Sequence, residues 1–237
     1  MSHRVTKQVT TSPVLKPIVK VLKANTGSRR AVEVFDDFVA MLALAMRNAT
    51  QPRSFDESAW EAREAEYLRR AGHYDSAQMQ RFSEAAALLT NAMEAEPSDL
   101  LGRLYMELGA GDAGLGQFFT PSSVAQLMAQ LHVPTLREQV DRLGFARVND
   151  PACGGGVMLI EMVRAMADAG LDYQRHLHIT ADDLDSTAVH MTYIQLSLLH
   201  VPALVRHMNS LSMQVFDVWP TLAHRLGGWD LRLAAAA

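Results

Sequence analysis

Phe35, Phe38, Val39, Leu42 and Met46 recur at helical spacing and form one apolar face, which Pro52 closes. A second helix is expected from Asp56 or Ser58 to Gly72, with Trp60, Tyr67 and Leu68 among its apolar positions. A third spans roughly Ser76 to Glu96, aligning Met79, Phe82, Ala86, Leu89 and Met93. A fourth follows Ser98, whose hydroxyl can cap it, and carries Leu101, Leu104, Tyr105 and Leu108 to a stop at Gly109. The methionines and aromatics of this stretch are the ordinary material of a helical core.

From Gly111 the pattern changes. Gly111, Gly114 and Gly116 make a loop, and Gln117 to Pro121 lead into a helix over Ser122 to Leu131. Short apolar runs at 145–150, 176–181 and 204–208 read as strands, and 229–233 as a fourth. Between them lie helical stretches, Val157 to Ala169 (stopped by Gly170) and a long one after Ser186 to about Leu199. Strands alternating with helices indicate an α/β fold with a mostly parallel sheet and crossover helices. The expected organisation is a basic arm over 1–32, a helical subdomain over 33–110 and a nucleotide-binding domain over 111–237.

Bulk properties narrow this little. The 237 residues are 49% hydrophobic and 20% charged, an ordinary globular balance. A lone cysteine, Cys153, excludes an internal disulfide and a multi-cysteine zinc site. No run is long and apolar enough for a membrane span, and the N-terminus lacks a signal-type apolar stretch, so a cytoplasmic protein is the expectation. The net charge of −4 conceals an asymmetry. Arg4, Lys7, Lys16, Lys20, Lys23, Arg29 and Arg30 fall in the first 32 residues, which contain no acid. Such an arm suits phosphates, or is simply a solvated tail.

The chemistry concentrates at Asn149-Asp150-Pro151-Ala152-Cys153-Gly154-Gly155-Gly156, where a strand enters a glycine-rich turn and a helix follows. Glycines there let a ligand approach the backbone, and the helix N-terminus favours an anionic or nucleotide-like group. At the end of the next strand stand Asp182, Asp183 and Asp185. Asp183 is best placed to accept from ribose hydroxyls; Asp182 and Asp185 compete for the role, and Asp185 can instead cap the following helix. No histidine or further carboxylate lies at a spacing that makes this cluster a metal site.

Gly116-Gln117-Phe118-Phe119-Thr120-Pro121, Asp150-Pro151-Ala152-Cys153-Gly154-Gly155-Gly156 and Asp183-Leu184-Asp185, in that order, resemble the N6-adenine DNA methyltransferases, in particular the modification subunits of type I restriction systems. The resemblance covers about residues 98–237, and the family usually has serine where Gly155 stands. It implies a Rossmann-like S-adenosylmethionine-dependent methyltransferase domain, incomplete at its C-terminus, behind a helical subdomain. By position, Thr120 and Pro121 correspond to the loop over the methionine part of S-adenosylmethionine, with Phe119 bordering that pocket. Asp150, Ala152 and Gly154 would line the methionine moiety, Asp183 would hold the ribose, and Asn209 would contact the adenine ring. A turn proline, a core aromatic and a loop-capping asparagine are the plainer readings of Pro121, Phe119 and Asn209. Cys153 matches a small residue packed under the turn and has no basic partner that would make it a nucleophile.

The family's catalytic motif, Asn-Pro-Pro followed by Tyr or Phe, accepts hydrogen bonds from the target amine and stacks the flipped adenine. It does not occur in these 237 residues. Trp229-Asp230-Leu231-Arg232-Leu233-Ala234 resembles the strand that precedes it, which puts Ala235, Ala236 and Ala237 in the motif's place. The resemblance thus implies a cofactor-binding chain with no catalytic residue of its own. A non-enzymatic regulator or mimic of a restriction-modification complex is the alternative. The partners implied are DNA, restriction-modification subunits, and a second copy joined through an exposed sheet edge.

Overall fold

A computed structural model describes residues 13–109 and 120–236. Its first part is helical: α1 (Leu15–Lys23), α2 (Ala31–Thr50), α3 (Glu57–Ala71), α4 (Ser76–Ala95) and α5 (Leu100–Gly109). The chain continues through α6 (Ser122–Leu143), β1 (Ala146–Asp150), α7 (Val157–Asp168), α8 (Tyr173–His176), β2 (Leu177–Asp183) and α9 (Ser186–Leu198). It closes with β3 (Ala203–Asn209), β4 (Gln214–Pro220), α10 (Leu222–Leu226) and α11 (Trp229–Ala235).

Local chemistry accounts for the helix starts. Asp56 caps α3 by accepting from the Ala59 N–H at 3.0 Å, and Asp75 forms a reciprocal capping box with Gln78 on α4. The cap of α5 is Asp99 rather than Ser98, since its carboxylate accepts from the Gly102 N–H at 2.9 Å. Residues 15–23, read as part of a basic arm, form α1 instead. Its Leu15, Ile18, Val19 and Leu22 are buried while its lysines stay outside, an amphipathic pattern that the run of basic residues masked.

The sheet has the order β1-β2-β3-β4, with β1, β2 and β3 parallel and β4 antiparallel to β3. Helix α9 lies between this sheet and the helical part and is buried nearly all round, so one hydrophobic core runs through both. Phe35 and Phe38 of α2, Phe82 and Leu89 of α4, Tyr193 and Ile194 of α9, and Ile179 and Val205 of the strands all belong to it. Burying them together supplies most of the driving force for the fold.

Three expectations fail here. Helix α6 does not end at Leu131 but runs through Pro134 to Leu143, where Gly144 stops it at φ 79°. The fourth strand is β4, not 229–233. A Val-Phe-Asp-Val-Trp run with strand propensity follows the Asn209-Ser210-Leu211-Ser212 turn, in which Asn209 Oδ1 accepts from the N–H groups of Leu211 and Ser212. Residues 229–235 form α11, begun at Gly228 with φ 61°. A short apolar run has no decisive period, and leucine, arginine and alanine all favour helix. Packing decides the case: Trp229 is buried edge-on against Phe145 at 5.1 Å and tilted against His178. The strand alignment that placed Ala235 to Ala237 over a catalytic motif is therefore not a structural equivalence.

Candidate functional site

The C-terminal ends of β1 and β2 bring the glycine turn and the acidic cluster together. The Cys153 N–H donates to the Asp182 carbonyl at 2.9 Å, which lays the turn across the end of β2. The Gly154 N–H donates to Asp183 Oδ2 at 2.8 Å, and the Asp185 N–H to Asp183 Oδ1 at 2.9 Å. Asp183 thus sits at the centre of the constellation, and each oxygen keeps a further lone pair.

The three acidic residues separate by role. Asp182 points to the other side of the sheet, where its buried carboxylate forms a bidentate pair with Arg206 at 2.5 and 2.7 Å. Asp185 caps α9 by accepting from the Thr187 N–H at 2.8 Å, the capping role that its place in the sequence also allowed. Only Asp183 faces the turn with acceptor capacity to spare. Asp150, at the end of β1, accepts from the Ala152 N–H at 3.1 Å. Burial raises its pKa above the ordinary carboxylate value, the Ala152 N–H opposes this, and the charges of Asp183 and Asp182 add to the rise.

The turn itself is built around glycine. Gly154 lies at φ 54° and Gly156 at φ 91°, the left-handed region that side chains disfavour. A Cβ on Gly156 would stand 2.9 Å from Thr192 Oγ1. Gly156 is also the N-cap of α7, so this helix directs its positive end at the turn. Cys153 is 5% exposed and burial pushes its thiol well above the ordinary value, which fits a packing residue and not a nucleophile.

Sequence reasoning missed the residues that hold the turn from beneath. Thr192 donates its hydroxyl to the Gly154 carbonyl at 2.9 Å. Gln195, fully buried, donates to the Gly155 carbonyl at 2.7 Å and to Asp99 Oδ1 at 3.0 Å, while its Oε1 accepts from the N–H groups of Leu100 and Leu101. One side chain therefore fastens the start of α5, the glycine turn and α9. The available signal was a threonine and a glutamine three residues apart among the apolar Met191, Tyr193, Ile194 and Leu196. Ser210 adds a bond from the far side, its hydroxyl donating to the Pro151 carbonyl at 2.6 Å.

The remaining expected residues are less closely joined. Thr120 and Pro121 stand exposed at the start of α6, where the Pro121 carbonyl accepts from Val124 and Ala125. Phe119 lies outside the described residues. Asn209 ends β3, its side-chain oxygen engaged in the hairpin turn, so the loop-capping reading of that oxygen holds. A concavity beside α11, lined by Arg147, Val148, Asn149, His178, Thr180 and Leu233, shares only Asn149 with the stretch 149–156. Among the described residues no cluster of histidine, cysteine and acidic side chains is arranged to hold a metal. No helix among them is long and apolar enough to cross a membrane.

Taken together, the turn offers carboxylate acceptors at two strand ends, a helix N-terminus and side-chain-free backbone. Such a site can hold a ligand that presents hydroxyl and ammonium donors on one part and a negative group on another.

The family model for N-6 DNA methylases matches residues 98–222, more than half of the chain and inclusive of α5, the turn and β1 to β4. Among solved structures, the methyltransferase subunit of a type I restriction-modification system from Streptococcus thermophilus is similar at 16% identity and a TM-score of 0.38. The alignment covers 80% of this chain and 55% of that subunit, so the chain spans about half its length. No curated protein matches.

Proposed function

We propose that this chain, which belongs to the N-6 DNA methylase family, binds S-adenosylmethionine at the glycine turn as the cofactor-holding part of an adenine-N6 DNA modification system. One observation carries the reading: Asp183 and Gly154 meet at 2.8 Å, setting an acceptor carboxylate beside a glycine turn at a helix N-terminus. In this assignment Asp183 takes the ribose hydroxyls. Asp150, Ala152 and Gly154 line the methionine portion, whose ammonium suits the Asp150 carboxylate. Thr120 and Pro121 border it, with Phe119, and Asn209 stands by the adenine. The cofactor would supply a methyl group made electrophilic by its sulfonium. The protein's part is to orient that group and exclude water from it.

Methyl transfer is not assigned to these residues alone, because the Asn-Pro-Pro-aromatic sequence does not occur among them. DNA and restriction-modification subunits are the partners that fit, and the cytoplasm is the compartment where they would meet. That missing sequence also favours a second reading, a non-catalytic cofactor-binding regulator of such a complex. Methyl transfer to DNA on adding a complementing modification subunit supports the first reading, and cofactor binding without transfer the second.

Calorimetric titration with S-adenosylmethionine tests the central assignment. The intact chain should bind one equivalent, and Asp183→Ala should bind at least about tenfold more weakly, a loss of about 1.4 kcal/mol. Absence of binding by the intact chain would overturn it.

A further inference from the structure

Away from the glycine turn, α2, α3, β4 and α10 enclose a group of arginines whose hydrogen bonding is incomplete. Arg47 of α2 and Arg63 of α3 are each only 8% exposed. Arg47 lies over the Trp219 ring at 4.6 Å, but its Nε and Nη1 atoms are buried without a hydrogen-bond partner. The nearest carboxylate, Asp217 of β4, stands 3.8 Å from Nη1, beyond hydrogen-bond range and half exposed to solvent. Arg63 is held by one bond, Nε donating to Asn48 Oδ1 at 2.7 Å, and its Nη2 is buried with no partner. Both guanidinium groups have the same charged neighbours, Asp217 and Arg225, and Tyr193 beside them; Asp56 is a further neighbour of Arg63. Arg225 is half-buried, with its guanidinium 5.2 Å from the Phe55 ring.

A buried charged donor without an acceptor is among the costliest features a fold can carry. Here three such nitrogens belong to two cations that repel each other and a third, with Asp217 an opposing charge beside both and Asp56 beside Arg63. Water would supply acceptors but not the balancing charge. An oxyanion supplies both, and guanidinium forks match its geometry.

We propose that Arg47, Arg63 and Arg225 form a binding site for a phosphate-class oxyanion, separate from the cofactor turn. Two sources share that chemistry, free phosphate and a backbone phosphate of DNA. Arg225, the least buried of the three, is the point of entry.

The test compares thermal unfolding of the full chain in sodium phosphate and in sodium chloride at equal pH and ionic strength. Free phosphate as the ligand predicts a saturable rise in Tm that Arg63→Gln and Arg225→Gln abolish. A backbone phosphate predicts no such rise but about tenfold weaker binding of a short DNA duplex by the same two variants. In either case binding of S-adenosylmethionine by the variants stays unchanged, which shows that they are folded. Arg225→Gln is the control for misfolding, since Arg225 is the least buried member. Equal Tm in phosphate and chloride together with unaltered duplex binding would overturn the proposal, as would a phosphate effect that both variants retain.

Discussion

The Asp183 carboxylate and the Gly154 N–H are hydrogen-bonded at 2.8 Å across 29 positions of chain, joining the end of β2 to the turn that follows β1. Asp183 also accepts from its near neighbour Asp185, so it holds two backbone donors before any ligand arrives. Asp183→Ala should therefore lower stability without cofactor by about 1–3 kcal/mol, besides weakening cofactor binding. Urea unfolding of the free protein measures the first effect. Unchanged stability would mean that those N–H groups are satisfied by water.

Gly156 combines a φ of 91° with a Cβ position 2.9 Å from Thr192 Oγ1. Gly156→Ala should cost about 1–3 kcal/mol from backbone strain, with a crowding cost added. Gly156→Ala combined with Thr192→Ser leaves the hydroxyl in place and should rescue little. A Tm within a degree or two of the parent would contradict the conformation described.

Gln195→Met keeps the volume but removes every polar contact of that side chain. The Leu101 N–H and the Gly155 carbonyl lose their bonds to it in a buried setting, while the Leu100 N–H keeps the Ser98 carbonyl at 2.8 Å. Each group left unpaired costs about 1–3 kcal/mol, so the variant should be among the least stable single substitutions in the chain. Hydrogen exchange should show the loss spreading to both α5 and the glycine turn.

Two groups give stability opposite pH dependences. Burial lowers the pKa of His178 to about 4, with the neighbouring His224, Arg147 and Arg232 adding to the shift and Asp230 opposing it. The unfolded chain binds the proton more tightly, so this contribution is complete above about pH 6.5 and is lost as pH falls toward 4. Burial raises Asp36 to about 6, with Asp185 and Asp37 adding to the rise. That burial destabilises the fold fully above pH 6 and not at all below the ordinary carboxylate value. Asp36→Asn should hence stabilise the protein at pH 7 to 8 and have little effect near pH 4. His178→Phe should flatten the loss of stability between pH 6.5 and 4. Urea midpoints across that range check both.

Self-association through an exposed sheet edge, expected from the sequence, has β4 as its candidate edge in the fold. Strand β1 is partly covered, since Gln139 Oε1 accepts from the Arg147 N–H at 3.0 Å. Strand β4 exposes Val215 and Phe216, and the turn before it exposes Leu211 and Met213. Any association should run through β4 and its hairpin, and Val215→Lys with Phe216→Lys should reduce it in light scattering. Equal association by the double variant would place the contact elsewhere.

Much of the site was legible because its chemistry is local. Asp150 to Gly156 lie in one turn in which Gly154 and Gly156 answer to positive φ, and Asp183 closes a strand whose end the apolar run marks. What stayed hidden depends on pairing across the chain. Nothing near Gln195 shows that it will meet Gly155, 40 positions away, or Asp99, 96 away. Asp182, Asp183 and Asp185 look interchangeable until strand pleat sends one to Arg206, one to the turn and one to a helix cap.

By itself the sequence determined helices α2 to α5, α7 and α9, strands β1 to β3, the glycine turn and the family, since each rests on short-range periodicity, backbone preference or a contiguous motif. Tertiary structure decided the rest. Trp229 to Ala235 became a helix because burying the indole against Phe145 and His178 outweighs a short run's ambiguous propensity. Residues 15–23 joined the core for the same reason, since apolar surface finds its partners in space and not along the chain.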